Sequence, residues 1–178
     1  MLALISFNLS AADCADSESF DLVLVVDSSA SIPLSTLNQM KNASSEFVDL
    51  FDNETQKVGL VKFNYASTLL SSLTSDFDFI KSQISGISTD SYTNMGEGIR
   101  EAKEESADNG RVDVDQYIVL LSDGVPNMMI NQSGDSVICP HPTPANSTDC
   151  TDYALEMADE AKANGIKIFT IGTYSQND

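Results

Sequence analysis

Five side chains of this 178-residue chain offer small oxygen donors at positions that suit a bound cation. They are Asp27, Ser29, Ser31, Thr93 and Asp123. Each of the two aspartates closes an apolar run, at 20–26 and 117–121, and the threonine stands where a helix is expected to begin. A hard cation such as Mg²⁺ prefers ligands of this kind. The pattern therefore predicts a metal site, but by itself it does not indicate a reaction.

The elements that would position these residues alternate between strands and helices. The run 20–26 is almost continuously β-branched and aliphatic, as is typical of a strand buried on both faces. Further strands are predicted at 57–65, 67–73, 117–121 and 166–172, and helices at 34–51, 76–84, 95–106 and 151–164. This alternation predicts an α/β fold with a doubly wound, mostly parallel sheet and helices on both faces. A short turn near Ala66 predicts one antiparallel edge strand.

Ligands of such sheets bind beyond the carboxyl ends of the strands, where the strand order reverses. Asp27 and Asp123 meet there if their strands are neighbours; the alternative is that each only caps the next helix or turn. Among the helices, we expect Ser75 to cap the one at 76–84. Spacing at three and four residues predicts that Leu50 and Leu155 face the core.

The composition describes one acidic domain with a core of ordinary size. Hydrophobic residues make up 42%, and 27 acidic residues against 9 basic ones give a formal charge of −18. Nucleic acid binding requires a basic face, so it is disfavoured. The acidity indicates a solvated surface, or alternatively an affinity for divalent ions or a saline habitat.

The first residues predict export. An apolar stretch at 2–7, followed by small residues, resembles the end of a secretory signal; the alternative is a clipped strand or linker. We accordingly expect a signal remnant at 1–12, a linker at 13–19 and a domain at 20–178, in an extracellular protein that is secreted or held at the cell surface. The stretch 2–7 is too short to span a membrane, and no other stretch is apolar enough to do so. Candidate glycosylation sites, counted without the one at Asn8, are Asn42, Asn53, Asn131 and Asn146.

Two cysteines flank a proline-rich segment. A disulfide between Cys139 and Cys150 is the natural interpretation in an oxidising compartment. Two free thiols are one alternative. A zinc site with His141 is another, although it would have only three Cys or His ligands where structural zinc requires four. Cys14 has no obvious partner. The long connection 128–149 is either a specificity loop or a glycosylated, disulfide-tied excursion, and Met128, Met129 and Ile130 are expected to cover the core.

From Phe20 to Tyr174 the sequence resembles the von Willebrand factor type A domain, which is also the inserted domain of integrins. The metal-ion-dependent adhesion site of that family is written Asp-x-Ser-x-Ser, then a separate Thr, then a separate Asp. The matching residues are Asp27, Ser29, Ser31, Thr93 and Asp123. The segments 58–61, 122–124 and 163–169 are also similar to the family. The resemblance implies a complete site for Mg²⁺, with Mn²⁺ as a substitute.

The resemblance further implies a non-enzymatic, metal-dependent adhesion module. The serines would bind the ion directly, Thr93 directly or through water, and the aspartates would hold waters or hydroxyls around it. Because hydroxyls carry no charge, the ion stays electrophilic, and an Asp or Glu of a matrix or cell-surface protein can replace one of its waters. The family usually continues with another helix, a sixth strand and a closing helix. We therefore expect a C-terminally incomplete domain. A partner for Cys14 in the missing part would explain why this cysteine has none here, but the sequence leaves that pairing open.

Two other classes of function stay open at this point. One is a structural matrix module whose metal site is idle. The other is a phosphoryl-transfer hydrolase with Asp27 as nucleophile, which would require a second aspartate where Ser29 stands and a lysine beside these motifs. His141 lies in the looped insertion, so a Ser/His/Asp triad has little support.

Overall fold

A computed structural model of the chain describes residues 18–131, 133–139 and 149–172. The helices of these segments are α1 (Leu34–Val48), α2 (Phe77–Ser85), α3 (Met95–Asn109) and α4 (Asp149–Ala163). The strands are β1 (Phe20–Asp27), β2 (Lys57–Phe63), β3 (Ser67–Thr74), β4 (Asp115–Ser122), β5 (Met128–Ile130), β6 (Ser136–Ile138) and β7 (Lys167–Gly172).

Five strands form the main sheet in the order β3-β2-β1-β4-β7. The pairs β1–β2, β1–β4 and β4–β7 are parallel, and β3 is an antiparallel edge strand on β2. The predicted fold class is thus confirmed. From β1 the chain goes to β2 on one side of the sheet and later to β4 on the other, so the strand order reverses at β1 and β4. Asp27 and Asp123 lie at the ends of these two neighbours, at the same edge.

Helices cover both faces of the sheet, which explains why the first strand is apolar at every position from Leu22 to Val26. Leu22, Leu24 and Val26 point to one face and pack with α1 and α2, in a core that includes Leu37 and Ile80. Val25 points to the opposite face, in a core that contains Ile99 of α3 and Met157 of α4. Successive residues of β1 therefore alternate between the two cores.

An ion pair between Asp21 and Arg111 lies at the end of the sheet opposite the candidate site. The Asp21 carboxylate is completely buried. It accepts hydrogen bonds from the Arg111 backbone N–H at 2.6 Å, from Arg111 Nε at 2.9 Å and from Gln116 Nε2 at 3.2 Å. Several donors to one carboxylate offset the cost of removing that charge from water. This arrangement ties the link between α3 and β4 to the start of β1.

A small second sheet lies within the long connection. Strands β5 and β6 form an antiparallel hairpin, and Gly134 takes a left-handed φ of 84° in its turn. The predicted disulfide between Cys139 and Cys150 is present and joins the end of this hairpin to α4. Met128 is buried as expected, and Met129 and Ile130 are half-buried. The connection is thus partly ordered by pairing, where the sequence indicated only a loop.

Three details of the sequence-based description are wrong. Helix α1 ends at Val48, so Leu50 lies in the turn after it and is 78% exposed. Asp76, one residue later than Ser75, caps α2 by accepting the Phe79 N–H at 3.0 Å. In α4 the inward face runs through Met157, and Leu155 lies about 200° around the helix axis from it, 55% exposed. The other boundaries agree with the prediction to within three residues.

Several predicted features fall outside the described residues. They are the apolar stretch 2–7, Asn8, Cys14, His141 and Asn146. Of the remaining candidate glycosylation sites, Asn42 and Asn53 are exposed and Asn131 is half-buried. Within the segments that the structure describes, no helix combines the length and the apolar character needed to cross a membrane.

Candidate metal site

Asp27 forms the floor of the candidate site and is completely buried at the end of β1. Its Oδ1 accepts the Ser29 backbone N–H at 2.8 Å, and its Oδ2 accepts the Ser122 hydroxyl at 2.6 Å. Burial raises the pKa of this carboxyl above its ordinary value, the bonds from Ser122 and Ser29 oppose that rise, and the nearby Asp123 adds to it. The site therefore contains a carboxylate that is held in position but is costly to ionise without a cation.

Two serine hydroxyls and the second aspartate lie directly beside this floor. Ser29 Oγ and Ser31 Oγ are 3.0 Å apart, and Ser31 Oγ donates to Asp123 Oδ1 at 3.4 Å. Ligands at adjacent corners of an octahedron with bonds of about 2.1 Å are separated by about 3.0 Å. The spacing of the two hydroxyls therefore fits neighbouring positions around Mg²⁺.

Thr93 reaches the same edge through its backbone. Its N–H donates to Asn127 Oδ1 at 2.8 Å, and its carbonyl accepts the Asn127 N–H at 3.1 Å. Three residues earlier, the Asp90 N–H donates to the carbonyl of Ser28 at 2.8 Å. Thr93 is buried, and among the described residues no hydrogen bond links its side chain to the other four candidates. Contacts thus join four of the five predicted residues directly. The fifth, Thr93, belongs to a loop beside them.

A buried polar network supports this loop. The Ser28 hydroxyl donates to the Phe63 carbonyl at 3.0 Å and accepts from Asn64 Nδ2 at 3.1 Å. The Asn64 carbonyl accepts the Asn94 N–H at 2.8 Å, and the Asn94 side chain caps α3. Because these groups satisfy one another, the ends of β1 and β2 and the start of α3 form one unit.

The sequence-based assignment missed the supporting residues. Only Asn94 carried a usable signal, since it precedes a helix with Glu97 three residues later, as in a capping box. Asn127 pairs with Thr93 across 34 residues, and no local pattern marks such a contact. Ser122 is the last residue of β4 and begins the Ser-Asp-Gly sequence, but its bond to Asp27 depends on how β1 and β4 pair.

The backbone beside Thr93 is strained. Tyr92 has a φ of 58°, and among the described residues it is the one non-glycine residue with a positive φ. Such a conformation costs about 1–3 kcal/mol for a bulky side chain and persists where surrounding contacts hold it. The bonds of Thr93 and Asn94 provide that hold. The Tyr92 ring stays on the surface and lies 6.1 Å from the ring of Tyr65, centroid to centroid.

The donor set fits a hard cation. It comprises two carboxylates and three hydroxyls, which is the oxygen-only chemistry that Mg²⁺ selects over nitrogen and sulfur ligands. Within the described segments, no three His, Cys, Asp or Glu side chains come together as a metal cluster of their own. The five residues predicted from the sequence remain the candidates for holding such an ion.

Comparisons with known proteins identify relatives by fold. The family model of the von Willebrand factor type A domain matches residues 21–178. No curated protein sequence matches the chain.

Three solved structures resemble the chain at low sequence identity. The vWF domain of the type V pili tip protein Mfa5 from Porphyromonas gingivalis has a TM-score of 0.74 and 17% identity, over 89% of this chain and 82% of that one. The D319A mutant of the PilB minor pilin from Streptococcus sanguinis gives 0.75 and 19%, over 93% and 52%. The pilus adhesin SpaC from Lactobacillus rhamnosus GG gives 0.66 and 21%, over 87% and 24%. The chain thus spans about half of PilB and a quarter of SpaC.

Proposed function

Because the chain belongs to the von Willebrand factor type A domain family, we propose that it is a metal-dependent protein-binding module. In this proposal it recognises an Asp or Glu side chain of a protein ligand through Mg²⁺. The ion would be held by Asp27, Ser29, Ser31, Thr93 and Asp123. The observation that carries the proposal is the pair of serine hydroxyls 3.0 Å apart, with Asp123 beside them, where the strand order reverses.

The burial of the five residues supports one direction of approach. Asp27, Ser29 and Thr93 are buried, whereas Ser31 is exposed and Asp123 is half-buried. A bound Mg²⁺ would supply a coordination position at which a partner carboxylate replaces water. The bonds from Ser29 and Ser122 hold the Asp27 carboxylate away from the coordination position that the partner would occupy. The open side of the site is therefore the side of Ser31 and Asp123.

An adhesive role at a cell surface draws support from the relatives. Mfa5 is described as a pilus tip protein, PilB as a minor pilin and SpaC as a pilus adhesin. The Cys139–Cys150 disulfide agrees with an oxidising compartment outside the cytosol. We therefore place the module in a secreted or cell-surface protein, with a matrix or cell-surface protein as its partner.

The two other classes receive less support from the geometry. A nucleophilic Asp27 would have to be reached by a substrate, yet the residue is completely buried at the end of β1. A structural module with an idle site would not require an electrophilic opening, but Ser31 and Asp123 leave the site open to solvent. Binding is the function that uses the observed arrangement.

Calorimetric titration of Mg²⁺, and then Mn²⁺, into chelator-stripped protein tests the proposal. We expect one saturable site, and we expect Asp123→Ala and Ser29→Ala to weaken it at least about tenfold, as losses around metal sites generally do. Asp78→Ala is the matched control, because it removes the same charge from a side chain that is 95% exposed on α2. Wild-type protein that is folded by circular dichroism but gives no saturable heat would refute the proposal.

A further inference from the structure

We infer that Tyr65 and Tyr92 form a contact surface beside the metal site for an arginine or lysine side chain that neighbours the acidic residue of the ligand. The inference rests on the proposed function, since it assumes that the acidic residue is held at the metal. It adds a second determinant of recognition, which decides among ligands that all carry an acidic side chain.

The two rings lie on the surface at the site. Tyr92 directly precedes Thr93, and Tyr65 follows Asn64, whose carbonyl is bonded to the N–H of Asn94. The Asn94 side chain also donates to the Tyr65 carbonyl at 3.4 Å. The rings are 6.1 Å apart and tilted by 59°, and the two residues are 45% and 37% exposed. Both residues are therefore fixed through their backbones to the loop that carries Thr93, while both side chains remain partly exposed.

The backbone at Tyr92 makes the position of its ring unusual. A left-handed φ of 58° is readily adopted by glycine and asparagine but is costly for tyrosine. The ring contact with Tyr65 offsets that cost only in part. Strained residues of this kind cluster where proteins bind ligands, which favours a contact of the Tyr92 ring with a partner.

The charge around the rings selects the partner group. Within the described residues, the loops at this edge include 28–33, 64–66, 86–94 and 123–127, and none of these four contains Lys, Arg or His. They do contain Asp90 and Asp123, and Asp27 lies directly below them. Asp90 is exposed and is attached to the same loop as Tyr92 through its backbone bond to Ser28. With Asp27 and Asp123 engaged at Mg²⁺, a cation next to the ligand's acidic residue would meet the exposed Asp90 and the negative faces of the two rings.

Selection from a displayed peptide library tests the inference without a known ligand. The library carries one fixed glutamate and random residues at three positions on either side, and it is selected on immobilised protein with Mg²⁺ and eluted with EDTA. With the wild type we expect arginine and lysine to be enriched about two- to fivefold at one flanking position, the factor that a surface cation–π contact provides. Tyr65→Phe combined with Tyr92→Phe should keep the enrichment because the ring faces remain.

The enrichment should disappear in Tyr65→Ala and in Tyr92→Asn, each made separately. Asparagine removes the ring but tolerates the left-handed backbone, so the Thr93 loop is preserved. Calorimetry on the same proteins separates the two proposals. If Mg²⁺ binds all of them but basic residues are not enriched, or proline or aromatic residues are enriched instead, the inference is wrong and the proposed function stands. If the wild type binds no Mg²⁺, both fail.

Discussion

Asp27 is the residue at which folding and metal binding oppose each other. Its folded-state pKa is raised, chiefly by burial, so its contribution to stability is greatest in acid and is lost as the pH rises through that value. At neutral pH without metal the ionised carboxylate therefore costs stability. An asparagine side chain in place of this aspartate could still accept the Ser29 N–H through its amide oxygen and donate to Ser122 Oγ through its amide nitrogen.

Asp27→Asn should therefore raise the melting temperature in EDTA at pH 7 while reducing the response to Mg²⁺ to that of NaCl at equal ionic strength. Thermal unfolding followed by circular dichroism, with EDTA and then with excess Mg²⁺, measures both effects. The wild type should show the reverse behaviour, with a lower melting temperature in EDTA and a gain on adding the ion. A variant that is less stable than the wild type in EDTA, or that gains as much stability from Mg²⁺ as the wild type does, would contradict this role of Asp27.

Individual residues of the site differed in how far the sequence could predict them. Asp27 and Asp123 could be assigned because a polar residue that ends a buried run must lie at a strand end. Asn127 could not, because its bonds to Thr93 arise only once two distant loops have met. The left-handed backbone of Tyr92 was equally hidden, since nothing about a tyrosine predicts a positive φ.

At the scale of elements, Glu97 joins the first turn of α3 to α4. Its carboxylate is 11% exposed and accepts from Arg100 Nη2 at 2.8 Å and from the Tyr153 hydroxyl. Burial alone would raise its pKa, but these bonds outweigh burial and hold the pKa below the ordinary value. A depressed pKa stabilises the fold above the unfolded-state pKa, and that stabilisation is lost as the pH falls through the folded-state value.

Glu97→Gln should lower the free energy of unfolding by about 1–2 kcal/mol at pH 7, because it weakens bonds to a charged acceptor whose arginine partner is one-third exposed. The deficit should shrink as the pH is lowered through the carboxylate range. Urea denaturation at several pH values measures it. Glu104→Gln is the matched control, since Glu104 pairs with the same Arg100 at 2.6 Å but is 50% exposed. Equal losses in the two variants, or a pH-independent deficit, would contradict this account.

Elements were predictable where one period runs along the whole segment. The buried strands and α1 to α4 meet that condition, and the sheet follows from their alternation. The hairpin of β5 and β6 does not, because each of its strands has three residues and they lie among prolines, asparagines and serines. The exposed Leu155 shows the same limit on one face of α4. Whether Leu155 or Met157 faces inward depends on how α4 is rotated against α3. The sequence of α4 alone does not determine that rotation.

At the scale of the whole molecule, a formal charge of −18 makes any cation stabilising to some degree. Added salt screens self-repulsion throughout the protein, whereas a specific site adds stability only through its own occupancy. At a free Mg²⁺ concentration of about 100 times its dissociation constant, one site that exists only in the folded state adds about 2.7 kcal/mol. For a domain of this size that corresponds to a rise in melting temperature of roughly 5–10 °C.

A thermal titration can separate these two contributions. We expect Mg²⁺ to raise the melting temperature of the wild type well beyond NaCl at equal ionic strength, and we expect Asp123→Ala to reduce the Mg²⁺ response to the NaCl level. Asp78→Ala changes the net charge equally and should keep the full response, because its side chain is 95% exposed and lies on α2. If all three proteins respond alike to Mg²⁺, screening of the acidic surface explains the stabilisation. The stabilisation by Mg²⁺ then comes from the charge of the whole molecule and not from occupancy of the candidate metal site.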